Sequence, residues 1–231
     1  YLMPLGMLAI NTGVYATPDD VIRIPTGSWH HYAFVRQGTV AKVYVDGVLG
    51  STWTTTSGAI DASDAGTSRN LRIGQFNYDD AYFGDLKAYI DEVRISTTAR
   101  YTANFTPETT AFTSDANTKL LLHCDGAMGS TTFTDSSSGG HTITAAGSAR
   151  VIAPKFGKGC YRNNGSDNGL AVPRYQEPWA EFDTGDFTVE AWVCLDDISV
   201  NNQQFFTHRW GVNSGDWVFW WSNSNGLTWS G

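Results

Sequence analysis

Trp29-His30-His31-Tyr32-Ala33-Phe34-Val35-Arg36 is followed by Gln37-Gly38-Thr39, then by Ala41-Lys42-Val43-Tyr44-Val45 and Asp46-Gly47. Two alternating, aromatic and β-branched runs separated by a short glycine-bearing turn spell a β-hairpin. Asp46-Gly47 marks a second tight turn, because glycine enters positive φ without steric cost. Working outward, Leu71-Arg72-Ile73-Gly74 is a further short strand. Phe83-Gly84-Asp85-Leu86 leads into Tyr89-Ile90-Asp91-Glu92-Val93-Arg94-Ile95. Strict alternation there puts Ile90, Glu92 and Arg94 on one face and Tyr89, Asp91, Val93 and Ile95 on the other. One face must then carry charge, so the strand is expected to be half-exposed or to use Asp91 for a task.

The remainder is also strand-rich. Leu120-Leu121-Leu122-His123-Cys124 is a compact apolar run, and Phe187-Thr188-Val189-Glu190-Ala191-Trp192-Val193 alternates with Phe187, Val189, Ala191 and Val193 on one face. Asp216-Trp217-Val218-Phe219-Trp220-Trp221 is apolar on both faces and ends in the turn Asn223-Ser224-Asn225-Gly226. No dozen residues keep a helical period; the best helical candidate is one turn at Thr98-Ala99-Arg100-Tyr101. Thr102–Asn117, with Pro107 and many Thr, Ser and Ala, reads as a linker or an extended edge and is the expected domain boundary.

Composition narrows the function classes. Hydrophobic residues make up 41% of the 231 residues and aromatics 13%, with 9 Trp and 24 Gly, a mix that favours strands and tight turns. Charged residues reach only 16%, against the usual quarter. The net charge of −8, with no run of Lys or Arg, repels phosphate backbones and argues against nucleic acid as a partner. No stretch approaches the 18 apolar residues of a membrane span. Tyr1 is not an initiator Met, so the chain is read as a fragment or a processed product. Cys124, Cys160 and Cys194 are read as small buried hydrophobes, with a Cys124–Cys160 disulfide left open and no Cys/His spacing suited to zinc.

Several of these pieces together resemble the concanavalin A-like (laminin-G-like) group. Its closing signature is matched by Gly27-Ser28-Trp29-His30-His31, Tyr44-Val45-Asp46-Gly47, Ile73-Gly74 and Tyr89-Ile90-Asp91-Glu92-Val93-Arg94-Ile95. Its opening signature is matched afterwards by Leu121-Leu122-His123-Cys124-Asp125-Gly126, Asp135-Ser136-Ser137, Lys155-Phe156-Gly157-Lys158-Gly159 and Phe187–Val193. The resemblance implies an all-β, antiparallel jelly-roll β-sandwich. The inverted order implies either two tandem modules, each cut, or one permuted sandwich over 1–231. Tyr1-Leu2-Met3 with Gly6–Ile10 is similar to Trp217-Val218-Phe219 with Gly226–Trp229, as if one central hairpin occurred twice. The expected division is therefore 1–112 as the end of one sandwich and 113–231 as the beginning of a second.

Thr131–Ser137 and Ala99–Pro107 also resemble modules of bacteriophage tail fibres and bacterial surface proteins. That resemblance implies a non-catalytic adhesion or carbohydrate-binding module, extracellular or on a virion surface. Its expected partners are glycans or cell-surface polysaccharide, and neighbouring subunits or modules. A purely structural fibre module is the alternative, and a glycoside hydrolase a third reading. Hydrolysis needs two carboxylates flanking the scissile bond. The hydrolases of this fold use a Glu-x-Asp-x-x-Glu strand that is missing here, and Asp186 and Glu190 are the nearest substitute. No Ser/His/Asp signature is evident, and His30-His31 is expected to place one ring inward and one outward. The family often holds a structural Ca²⁺ where first and last strands meet, and Asp91, Asp125 and Asp135 are the matching acids. Sugar rings stack on Trp and Tyr while Asn and Asp bind hydroxyls. That chemistry selects Trp53, Tyr78, Asp79, Tyr82, Trp210, Asn213, Trp220 and Asn223 as ligand-binding candidates.

Overall fold

The computed structural model describes residues 3–4, 8–10, 23–24, 26–54, 70–75, 84–165, 168–173, 182, 184–196, 203–208 and 217–221. Seventeen strands and no helix occur among them. They are β1 Met3–Pro4, β2 Leu8–Ile10, β3 Arg23–Ile24, β4 Trp29–Gln37, β5 Val40–Val45, β6 Val48–Thr54, β7 Leu71–Ile73, β8 Gly84–Asp85 and β9 Lys87–Ser96. The second half adds β10 Thr118–Leu122, β11 Thr144–Ala146, β12 Arg150–Ile152, β13 Cys160–Asn164, β14 Gly169–Val172, β15 Phe187–Leu195, β16 Gln203–His208 and β17 Trp217–Trp221.

Both turns of the opening hairpins form where the glycines stand. Gly38 has φ +56° between β4 and β5, and Asp46 and Gly47 have φ +51° and +76° between β5 and β6. Two successive positive φ values match the right-handed twist of the strands that they join.

An eight-stranded sheet runs β12-β13-β9-β15-β4-β5-β6, with β10 beside β9. A seven-stranded sheet runs β11-β14-β7-β16-β17-β2, with β8 beside β16. Their inner faces share one core. Tyr32 and Phe34 of β4 and Phe187, Val189, Ala191 and Val193 of β15 meet Leu71, Ile73, Leu170, Val172, Phe205, Phe206 and Phe219 of the opposite sheet. Tyr32 lies 5.5 Å from Phe205 and Phe34 lies 6.1 Å from Phe219, ring centre to ring centre. Each fully buried aromatic of this kind contributes about 1.5–3 kcal/mol of transfer free energy.

The expected division at 112/113 does not separate two sets of sheets. β15 lies between β4 and β9, pairing Ala191 with Tyr32 on one side and Val193 with Ile90 on the other. β10 pairs with β9 through Leu120↔Ile95 and Leu122↔Val93. β17 pairs with β2 through Phe219↔Leu8, so the two similar terminal segments are neighbours in one sheet. Among the described residues the strands of both parts are interleaved in the same sheets, so that each part supplies strands that the other would leave unpaired.

Two local expectations are also corrected. Thr98–Tyr101 is a bend rather than a helical turn. Thr102–Asn117 is neither a linker nor an edge strand but a strap, and with Ala99 and Tyr101 it packs on the outer face of the eight-stranded sheet. Tyr101 and Phe105 cover Ala33, Val35 and Tyr44, and Phe112 packs with Leu121 and Trp192. Strand β9 is therefore buried on both faces instead of half-exposed. Its alternation breaks at Glu92, which has φ +51° and forms a β-bulge: Trp192 pairs with Asp91 but Glu190 with Arg94. The extra residue sends Ile90, Val93 and Ile95 into the core and puts Arg94 beneath the strap.

Candidate functional site

The strap closes over a buried polar hub. Glu190, on the outward side of β15, is fully buried. Its Oε1 accepts Arg94 Nε–H at 2.8 Å, its Oε2 accepts the Tyr101 hydroxyl at 2.8 Å, and His31 Nε2 lies 3.1 Å from Oε2. Arg94 also pairs with Glu108 at 3.1 Å and stacks 4.2 Å above the Phe112 ring. Arg100 donates to Ser96, Asp115 and Thr118 at 2.6–3.0 Å. Burial pushes the Glu190 carboxyl up, but the His31 hydrogen bond and the Arg94 charge outweigh it and leave it below its ordinary value. Burial beside Glu190 raises the Tyr101 phenol, so this hydroxyl stays a donor. Four rings, those of Tyr101, Phe105, Phe112 and Trp192, surround His31 edge-on within 6.2 Å. Asp186 accepts the Gly38 N–H at 2.7 Å. The nearest substitute for a hydrolytic pair thus consists of one turn cap and one buried ion-pair partner.

The three acids expected to hold calcium are engaged separately. Asp91 accepts the backbone N–H groups of Glu92, Lys155 and Phe156 at 2.9–3.0 Å, and its own burial pushes its carboxyl up to about 7 against those bonds. Asp125 accepts the N–H groups of Lys158 and Gly159. Asp135 accepts from Leu121, Ser137 and His141 backbones, the Ser137 hydroxyl and the His141 ring, at 2.6–3.0 Å. Among the described residues no three His, Cys, Asp or Glu side chains form a group that could hold a metal ion. The donor set does not fit a hard cation, whose ligand oxygens must face the ion rather than N–H groups. These Asp residues fix loops instead.

Another arrangement went unrecognised in the sequence. His30 and His31 do point to opposite surroundings: His31 is buried, whereas His30 is near the surface with Nδ1 2.6 Å from Asp46 Oδ2 and Nε2 2.8 Å from Ser28 Oγ. The link crosses the β4–β5 pairing and the Asp46–Gly47 turn, so no local motif announces it.

The three cysteines are buried free thiols, as expected of small hydrophobes. Burial raises all three, Cys160 to about 12.

Of the ligand-binding candidates, Trp53 lies on β6 opposite Ala41 and Trp220 on β17 opposite Gln204. Tyr78, Asp79, Tyr82, Trp210, Asn213 and Asn223 lie outside the described residues. The strand ends still sort the connections that carry them. Val172, Leu71, His208, Trp217 and Ile10 form one row at one end of the seven-stranded sheet. The chain leaves or enters that row through 11–22, 55–70, 173–186 and 209–216. Trp210 and Asn213 belong to the last of these, and Trp53 precedes the second. The connections bearing Tyr78, Asp79 and Tyr82, and the segment bearing Asn223, start from the opposite end, after Ile73 and Trp221.

Residues 7–106 match the Laminin_G_3 family model, described as the concanavalin A-like lectin/glucanases superfamily. No curated protein and no solved structure matches the chain.

Proposed function

We propose, from the match of residues 7–106 to the concanavalin A-like lectin/glucanase family model, that the chain is an adhesion module that binds glycans without cleaving them. We place it outside a cell or on a virion surface, in a fibre-like protein. Cell-surface polysaccharide is its ligand class. The carrying observation is the row Val172–Leu71–His208–Trp217–Ile10, from which four connections depart at one end of a rigid sandwich. Variable connections on a fixed scaffold are where binding residues concentrate. The strap covers β4, β5, β10 and β15 on the outer face of the eight-stranded sheet, which favours the loop end as the ligand surface. Trp210 and Asn213 follow His208 in the sequence and are the proposed stacking ring and hydroxyl partner. The engagement of Glu190 and Asp186 in structural bonds supports binding over glycosidic hydrolysis.

A glycan array probed with the intact chain tests this reading. Binding to a defined glycan that falls at least about tenfold in Trp210→Ala or Asn213→Ala supports it. Binding to no glycan favours the purely structural fibre module. Release of reducing sugar from a polysaccharide panel would replace it with a glycoside hydrolase.

A further inference from the structure

Ser28, His30 and Asp46 are joined in the order hydroxyl, imidazole, carboxylate. Ser28 Oγ is 2.8 Å from His30 Nε2, and His30 Nδ1 is 2.6 Å from Asp46 Oδ2. An ionised carboxylate only accepts, so the neutral ring carries its proton on Nδ1 and presents Nε2 as a base. The Ser28 O–H then donates to Nε2. This is the polarity in which a histidine can take a serine proton, with the carboxylate fixing the tautomer and stabilising the imidazolium.

The relay is anchored. Asp46 Oδ1 accepts the His31 N–H at 2.9 Å, and the Asp46 N–H donates to the His31 carbonyl at 2.8 Å. Gly27, just before Ser28, is held by its N–H bond to the Leu195 carbonyl at 2.9 Å. The buried His31–Glu190 pair differs, since His31 Nδ1 has no hydrogen-bond partner among the described residues. Ser28 is exposed and His30 is 17% exposed. Among the described residues nothing lies within 4 Å of the position a Gly27 Cβ would take, which leaves open space beside the serine.

We propose that Ser28, His30 and Asp46 form a surface acyl-transfer site for uncharged, short-chain acyl esters, the ester class that O-acylated sugars carry. An open approach suits a small acyl group, and the net charge of −8 disfavours anionic esters. Ser28 Oγ adds to the ester carbonyl carbon as its proton passes to His30 Nε2. The tetrahedral intermediate collapses, the bond to the alcohol oxygen breaks, and His30 protonates that oxygen as it leaves. Water, deprotonated by His30, then attacks acyl-Ser28 and releases the carboxylic acid with the hydroxyl restored. The site is chemically independent of glycan binding at the loop end.

The intact chain is mixed with p-nitrophenyl acetate, and both p-nitrophenol release and the mass of the Ser28 peptide are followed. An acetyl group on Ser28, with release above the buffer rate, is the expected result. Ser28→Ala removes both. Asp46→Asn keeps an oxygen acceptor and a residue that tolerates the left-handed turn, yet lowers the release rate at least about tenfold by disturbing the tautomer. Thermal unfolding of each variant, and of His30→Gln as a second removal of the base, verifies that the fold is retained. No adduct at Ser28, equal release by Ser28→Ala, or an unchanged rate in folded Asp46→Asn overturns the proposal.

Discussion

Tyr101 donates its hydroxyl to Glu190 at 2.8 Å across 89 positions of sequence, tying the strap to the centre of the eight-stranded sheet. Glu190 is the point at which the two sequence halves are locked, since Arg94, His31 and Tyr101 all come from the first and Glu190 from the second. Contacts of such sequence separation form only after costly loop closure. Their loss should therefore be felt in global stability.

Removing Glu190 leaves the buried Arg94 guanidinium without its main partner. Uncompensated buried charge costs about 3–5 kcal/mol. Glu190→Ala is expected to lose that amount in urea unfolding, whereas Tyr101→Phe, which deletes the hydroxyl's bonds to Glu190 and from Arg94 and keeps the ring, should lose about 1.5–3 kcal/mol. Equal losses for the two variants would contradict the hub.

Gly47 is required for a different reason. It has φ +76°, its carbonyl accepts the Phe105 N–H at 2.9 Å, and a Cβ would overlap the Phe105 carbonyl. Gly38 also has positive φ, but among the described residues nothing lies within 4 Å of its Cβ position. Gly38→Ala should therefore cost only the conformational penalty of about 1–2 kcal/mol. Gly47→Ala should cost more and should loosen the strap, which hydrogen exchange at Phe105 would reveal as faster exchange.

The contrast between what the sequence discloses and what it hides follows range of interaction. β4, β5 and β15 were legible because alternation is local: Phe187, Val189, Ala191 and Val193 had to share a face, and they do line the core. The strap was not legible, because Tyr101, Phe105 and Phe112 follow neither a strand nor a helix period and bury only against a finished sheet. The bulge at Glu92 hid the true faces of β9, since one inserted residue reverses an alternation argument. Strand order was undecidable for the same reason: β15 finds β4 and β9 far away in the chain. The Ser28–His30–Asp46 relay needed the Asp46–Gly47 turn to exist before its third member could be placed.

Calcium provides a direct check on the acids that sequence resemblance selected. Asp135 already receives five hydrogen bonds, which outweigh its burial and hold its carboxyl below the ordinary value. Neither added Ca²⁺ nor a chelator should move the thermal midpoint. Asp135→Asn should lower it to the same extent with and without Ca²⁺. A midpoint that rises with Ca²⁺ and returns on chelation would contradict the structural role.

Stability should pass through a maximum between the acid and alkaline limits, with different residues responsible for each slope. Glu190 and Asp135 have lowered carboxyls, so their contribution is present above the ordinary carboxylate range and is lost as pH falls through their folded values. His123 is raised by its hydrogen bond to Glu92, so its contribution is present below the ordinary histidine value and is lost as pH rises. Asp91 acts in the same direction. Its neutral form is favoured by burial up to about 7, so stability is fully present below the ordinary Asp value and declines as pH climbs through neutrality. Asn cannot ionise at position 91. In urea unfolding at pH 5 and pH 8, the stability of Asp91→Asn relative to the parent should therefore shift in favour of the variant at the higher pH, by on the order of 1–3 kcal/mol. A relative stability that stays constant, or that shifts toward the parent, would show that Asp91 is ionised at both pH values.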